Sequence, residues 1–244
     1  MYKHIPNFIT SLNLLSGCIA LAFAFEGELI LSSLFIGAGA LFDFADGFAA
    51  RLLRVKSKIG KELDSLADIV TFGVVPGALV YQLMQQDINA PVIFISDHSM
   101  LPFIGFLIPV FSALRLAKFN IDSRQERVFY GMPTPATAIF LGSFPLILGQ
   151  DSIPFGLSID TVHEVITNFY VLVSLTVLVS WLMVSEIPLF SLKFNSFSWQ
   201  SNAIRYLFLG MSIVLFSVLY FVSIPIIIFL YIIISLIYSK KVMS

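Results

Sequence analysis

Asp43-Phe44-Ala45-Asp46-Gly47-Phe48-Ala49-Ala50-Arg51, followed by Gly60, Asp64 and Asp68, is the stretch on which the reading of this chain turns. Written as a pattern it is D-x2-D-G-x2-A-R-x8-G-x3-D-x3-D, and its four carboxylates stand at the mouths of two hydrophobic segments. On helices, spacings of three and four put Asp43 with Asp46, and Asp64 with Asp68, on common faces one turn apart. Four acids can then converge. A charged side chain at membrane depth costs several kcal/mol, so its default reading is a functional site. The cluster repels itself unless cations bind it, and all-oxygen ligation favours hard divalent ions such as Mg²⁺ or Mn²⁺.

Working outward, composition makes lipid the solvent. The 244 residues are 58% hydrophobic and 12% charged, with a mean hydropathy of +0.93; one soluble core cannot hide that much apolar surface. Hydrophobic stretches long enough to cross a ~30 Å hydrocarbon layer run near 8–25, 30–48, 66–85, 101–118, 134–149, 166–187, 203–221 and 224–239. The expectation is an all-α integral membrane protein of about eight transmembrane helices. At its last hairpin Pro225 suits either a turn or a kink.

The loops give an independent check, because Lys and Arg are retained on the cytoplasmic side. All 14 basic residues fall in alternate connections or at the termini: Lys3; Arg51, Arg54, Lys56, Lys58 and Lys61; Arg115, Lys118, Arg124 and Arg127; Lys193 and Arg205; Lys240 and Lys241. The opposite connections, Glu26-Gly27-Glu28 and residues 86–99, 150–165 and 222–223, contain none. Both termini and the acids are therefore expected on the cytoplasmic side of the cell (inner) membrane. The formal charge of −1 averages two unlike faces; the basic face suits anionic lipid headgroups, and no nucleic-acid partner is implied. The lone Cys18 cannot form an internal disulfide and is expected as a small packing residue of the first helix. That helix has no clear small-residue cleavage site and is followed by many more spans, so it is expected to be retained.

Around the acids, helical phasing puts Gly47, Ala50 and Arg54 near the face that carries Asp43 and Asp46. Small residues there admit a ligand or a neighbouring helix, and Arg51 can neutralise a phosphate. The alternatives are helix packing for Gly47 and Ala50 and topology setting for Arg51. Glu186, beside Pro188, reads as a snorkelling or kinked helix end, and Thr134-Pro135 as an N-cap followed by proline in the first turn.

The run from Asp43 to Arg51 with Gly60, Asp64 and Asp68 resembles the complete signature of the CDP-alcohol phosphatidyltransferases. Three further segments resemble the phosphatidylserine synthase branch: Pro6-Asn7 with Thr10, Asn13 and Gly17; Arg115-Leu116-Ala117-Lys118-Phe119-Asn120; and Gly131-Met132-Pro133-Thr134-Pro135. The resemblance covers about residues 5–140. It implies a membrane enzyme that transfers a phosphatidyl group from CDP-diacylglycerol to L-serine and releases CMP, built on a six-helix catalytic core, here 1–190, usually in a homodimer. Residues 191–244 would add two helices. The resemblance further implies divalent metal, two ions, on Asp43, Asp46, Asp64 and Asp68, with Asp68 as general base. Gly47, Ala50, Arg51 and Gly60 would border the CDP-lipid. Arg115, Lys118, Asn120 and Asn13 would meet the acceptor or the lipid phosphate. Two rivals stay open: the same chemistry with glycerol 3-phosphate or an inositol phosphate as acceptor, and a metal-ion transporter, against which the acids cluster at one face with no polar path to the other.

Overall fold

In the computed structural model, which describes residues 4–55, 57–95, 98–122, 129–156, 158–189 and 198–243, the hydrophobic stretches become helices whose buried sides are lined by small residues. Helix α1 (Ile5–Phe25) has proline in its first turn and buries Pro6, Thr10, Asn13, Ser16, Gly17, Ala20 and Ala24, a stripe at helical spacing. Gly27 turns the chain at φ +84° into α2 (Leu29–Leu52), which buries Ser32, Ser33, Ile36, Gly39 and Asp46. Lipid gives neighbouring helices no hydrophobic incentive to associate, so close backbone approach and interhelical hydrogen bonds do the work. Ser16 Oγ donating to Phe35 O at 2.8 Å is one such bond.

Helix α2 ends in a Schellman cap: Val55 N donates to Ala50 O at 3.0 Å and Arg54 N to Arg51 O at 3.2 Å. Arg54 takes the left-handed position at φ 53°, so it lies beyond the helical face on which phasing had put it. Ser57 Oγ then accepts from Gly60 N at 3.1 Å and caps α3 (Lys58–Met84), the most buried of the long helices. A π-turn at Val70–Val74 interrupts α3, a feature that often marks functional sites. Gly73 within it and Gly77 just beyond it, four apart, lie against α4 (Leu101–Ile121): a Cβ at Gly77 would stand 2.9 Å from Pro109 Cδ, and one at Gly105 would stand 2.9 Å from Gly77 O. Only glycine allows that crossing.

Five described helical runs are long and apolar enough to span a membrane: α1, α2, α3, α4 and Asn202–Ile237. The last has 36 residues, about 54 Å if straight. It is folded in two, because Tyr220 takes φ 48° and the rings of Phe208 and Tyr231 meet at 5.7 Å. Thr134–Leu148 is a shorter apolar helix, α5, with Pro145 inside it. Where one span near 166–187 was expected, α6 (Ile159–Thr167) and α7 (Phe169–Val184) meet at 59°. Asn168 Oδ1 accepts from Val171 N there and starts a new helix. With α8 (Trp199–Leu219) and α9 (Ser223–Met243) separated by the turn at Tyr220 and the shorter α5 included, eight apolar helical segments stand where the eight stretches were expected. Pro225 lies in the first turn of α9, so the turn precedes it.

The only strand pairs among the described residues are two residues long: β1 (Phe94–Ile95) with β2 (His98–Ser99), and β3 (Phe129–Tyr130) with β4 (Pro188–Leu189), both antiparallel. Hydrogen bonds gather the connections into two ends. At one, Asp87 Oδ2 accepts from Phe169 N at 2.9 Å and Gln150 Oε1 from Phe221 N at 3.2 Å. At the other, Lys61 Nζ donates to Asn120 O at 3.0 Å and Gly131 N to Ile187 O at 3.0 Å. That is the grouping the basic residues gave. Lys3, Lys56, Arg124, Arg127 and Lys193 lie outside the described residues, as do the side chains of Lys240 and Lys241. Cys18 is free and exposed; it faces outward instead of packing.

Candidate active site

Asp43 from α2 and Asp64 and Asp68 from α3 each bring a carboxylate oxygen to one place, all within 4.8 Å of one another. Helical spacing accounts for it: Asp64 and Asp68 share a face of α3, and the Schellman cap with the Ser57 cap folds α3 back beside α2. Asp68 is 7% exposed and Asp46 6%. Three mutually repelling carboxylates at such range are an oxygen cage suited to a hard divalent cation. Asp46 is set differently. Its Oδ2 accepts from Thr10 Oγ1 of α1 at 2.5 Å, while its charge still reaches Asp43 and Asp64.

A second layer steadies Asp68. Asn13 Nδ2 donates to Asp68 Oδ1 at 3.3 Å, and the backbone carbonyl of Asn13 accepts from Thr71 Oγ1, in the π-turn, at 3.0 Å. Helices α1, α2 and α3 meet here closely enough that a Cβ at Gly17 would stand 2.9 Å from Thr71 Cα, and one at Gly39 would stand 3.0 Å from Asn13 Oδ1. Asn13, expected at the acceptor, thus lies beneath a carboxylate.

At the end of α4 opens a cavity of about 210 Å³ lined by Arg115, Lys118, Asp122, Tyr130, Met183 and Glu186 among others. Arg115 is 7% exposed, its Nε has no hydrogen-bond partner, and its guanidinium stands 5.1 Å from the centre of the Phe119 ring. The end of the helix that carries it is tied to α3 by Lys61 and Asn120. Lys118 Nζ donates to Val184 O at 3.4 Å. Gly131, at φ +75°, closes one wall; a Cβ there would stand 3.0 Å from Ser185 O, and Met132 N donates to Leu182 O at 2.9 Å. Thr134 is the first helical residue after an extended Pro133 and makes no side-chain cap, unlike the N-cap expected of it.

The remaining candidates divide. Arg51 lies over Gly47, with Nη1 3.6 Å from where a Cβ would be, and its charge reaches Asp46. Ala50 gives its carbonyl to the α2 cap. Gly60 abuts Asn7, whose Oδ1 would stand 2.8 Å from an added Cβ. Asn120 bridges α4 to α3 through Nδ2 to Ser65 Oγ at 2.8 Å, so it stands outside the cavity lining. Glu186 lines the rim where only a helix end was expected. Tyr130 and Met183 carried no sequence signal, because their neighbours in space are distant in the chain.

The family model described as "CDP-alcohol phosphatidyltransferase" matches residues 3–190. A CDP-diacylglycerol–serine O-phosphatidyltransferase of Bacillus subtilis is 38% identical over 163 residues, 65% of this chain and 82% of that protein. A protein of the same description from Mycobacterium leprae is 36% identical over 142 residues, 55% of this chain and 44% of its own length. An archaetidylserine synthase of Methanothermobacter thermautotrophicus is 32% identical over 144 residues, 58% of each. The matched region contains the whole acid cage and Arg115, and the chain belongs to the CDP-alcohol phosphatidyltransferase family of membrane enzymes.

Proposed function

We propose that the chain transfers the phosphatidyl group of CDP-diacylglycerol to the hydroxyl of L-serine and releases CMP. The observation that carries this reading is the buried Arg115 with an unpartnered Nε, lining a cavity at the end of α4 that Lys61 and Asn120 tie to α3 beside Asp64. A guanidinium so placed suits a planar carboxylate, which an amino-acid acceptor brings. Relatives named for serine and for archaetidylserine point the same way.

The donor set fits a divalent cation, Mg²⁺ or Mn²⁺, with Asp43, Asp64 and Asp68 holding it and Asp46 alongside; two ions are the expected number. When bound, such ions neutralise the pyrophosphate and the charge that develops on departing CMP. Asp68 takes the serine hydroxyl proton as that oxygen attacks the phosphorus carrying diacylglycerol; the new P–O bond forms as the bond to CMP breaks. Asn13 holds the Asp68 carboxylate in place. Arg115 and Lys118 hold the serine carboxylate, and Gly47, Ala50, Arg51 and Gly60 border the CDP portion. The catalytic core is 1–190 with 191–244 added to it, the assembly is a homodimer, and both termini and the site face the cytoplasm.

Purified protein with CDP-diacylglycerol and Mg²⁺ tests the reading: CMP release should require L-serine and fail with glycerol 3-phosphate, inositol phosphate or no acceptor. Release with glycerol 3-phosphate alone would move the chain to another acceptor. Metal flux in sealed vesicles without CMP release would mark a transporter.

A further inference from the structure

Two carboxylates that the chemistry above leaves unused, Asp122 and Glu186, line the same cavity as Arg115 and Lys118. Local geometry accounts for it. Arg115, Lys118 and Asp122 follow one another at spacings of three and four, so they share a face of α4, and Lys118 Nζ donates across to Val184 O, at the last residue of α7. Glu186 comes two residues later, in a segment held on both sides. Met132 N donates to Leu182 O at 2.9 Å, Gly131 N donates to Ile187 O at 3.0 Å, and Tyr130 pairs with Pro188 across β3 and β4. A carboxylate carried on so fixed a backbone is preorganised for a ligand.

The cavity therefore has two chemically unlike sides. Arg115 is 7% exposed and its Nε has no hydrogen-bond partner, which suits a buried anionic group, whereas Asp122 is half-buried and Glu186 exposed. Helix α4 ends at Ile121 and α7 at Val184, so two helix C-termini, each carrying about half a negative charge, add to the acidic side. The volume of about 210 Å³ lies below the ~300–1,000 Å³ of sites for drug-sized ligands and suits a small zwitterion. We propose that Asp122 and Glu186 receive the ammonium of the acceptor while Arg115 receives its carboxylate, so that this acidic wall selects an amino acid over hydroxy acids that lack the amine. This rests on the acceptor reading of Arg115.

CMP release by the full chain with CDP-diacylglycerol and Mg²⁺ provides the test, with L-serine set against 3-hydroxypropanoate, which is serine without its amine. The wild type should favour serine. Asp122→Asn combined with Glu186→Gln should raise KM for L-serine about tenfold, the worth of one charge-assisted hydrogen bond on a partly wet wall. The same double variant should leave 3-hydroxypropanoate, read as acceptor or as competitor of serine, and KM for CDP-diacylglycerol changed less than about threefold, with the melting temperature unchanged. Arg115→Ala should weaken both acceptors alike, because both carry the carboxylate. A wild type indifferent to the amine, an unchanged serine KM in the double variant, a loss shared equally by the two acceptors, or a lowered melting temperature with KM for CDP-diacylglycerol shifted would each overturn the assignment. If Arg115→Ala leaves both acceptors unchanged, the acceptor reading falls and the ammonium assignment falls with it. If Arg115→Ala weakens both and the double variant keeps its serine kinetics, only the ammonium assignment is lost.

Discussion

Asp68 and Asp43 stand in one cage but have different neighbours, and a single-atom substitution separates their work. Asp68 is the one held by Asn13 Nδ2, so Asp68→Asn preserves an oxygen in place while removing the proton acceptor. It should keep appreciable metal and CDP-lipid binding and lose about 10²–10⁴-fold in turnover. Asp43→Asn removes charge from the cage and should weaken metal binding as well. Calorimetric metal titration beside CMP release reads both; near-normal turnover of Asp68→Asn at saturating metal would send the proton elsewhere. Arg115→Ala and Lys118→Ala should raise serine KM with little change in melting temperature, and wild-type serine kinetics in both would remove them from the pocket. At this scale the acids were legible because three- and four-residue spacing maps onto one helical face. The Thr10 bond to Asp46 was not, since its partners are 36 positions apart and no local period joins them.

Two glycines one half-turn apart in α2 show how helix packing reaches the site. Gly37 has nothing within 4 Å of an added Cβ, whereas at Gly39 that atom would stand 2.5 Å from Thr71 Cγ2 and 3.0 Å from Asn13 Oδ1. Gly39→Ala must push apart the residues that hold Asp68. It should cost about 1–3 kcal/mol of stability and lower kcat, whereas Gly37→Ala should be neutral or slightly stabilising. Thermal unfolding in detergent with parallel turnover checks the pair; equal behaviour would mean that the α1–α2–α3 contact yields freely. Hydrophobic length located the apolar helices, because lipid imposes a fixed thickness on the chain. It missed the break at Asn168, where one asparagine caps a new helix inside an apolar stretch, and the π-turn, which changes hydrogen bonding without changing hydropathy.

For the molecule as a whole, the division of loops between two ends follows from charge. Every described basic residue lies in the connections or helix ends that share a pole with the acid cage, and the connection at 150–165 carries none. Because positively charged loops resist translocation, the cage should face the cytoplasm and 150–165 the outside. Glu62 and Ser152 are both exposed and stand at opposite ends, so each reports one side. In a Cys18→Ala background, a membrane-impermeant maleimide applied to intact cells should label Ser152→Cys at once and Glu62→Cys only after lysis. The expectation has a chemical reason beyond charge counting, since the nucleotide half of a CDP-lipid and free serine are water-soluble groups that must reach the cage from the compartment that supplies them. Labelling of Glu62→Cys in intact cells would place the cage outside, and both the topology and the assignment of the acceptor to the cytoplasm would have to be abandoned.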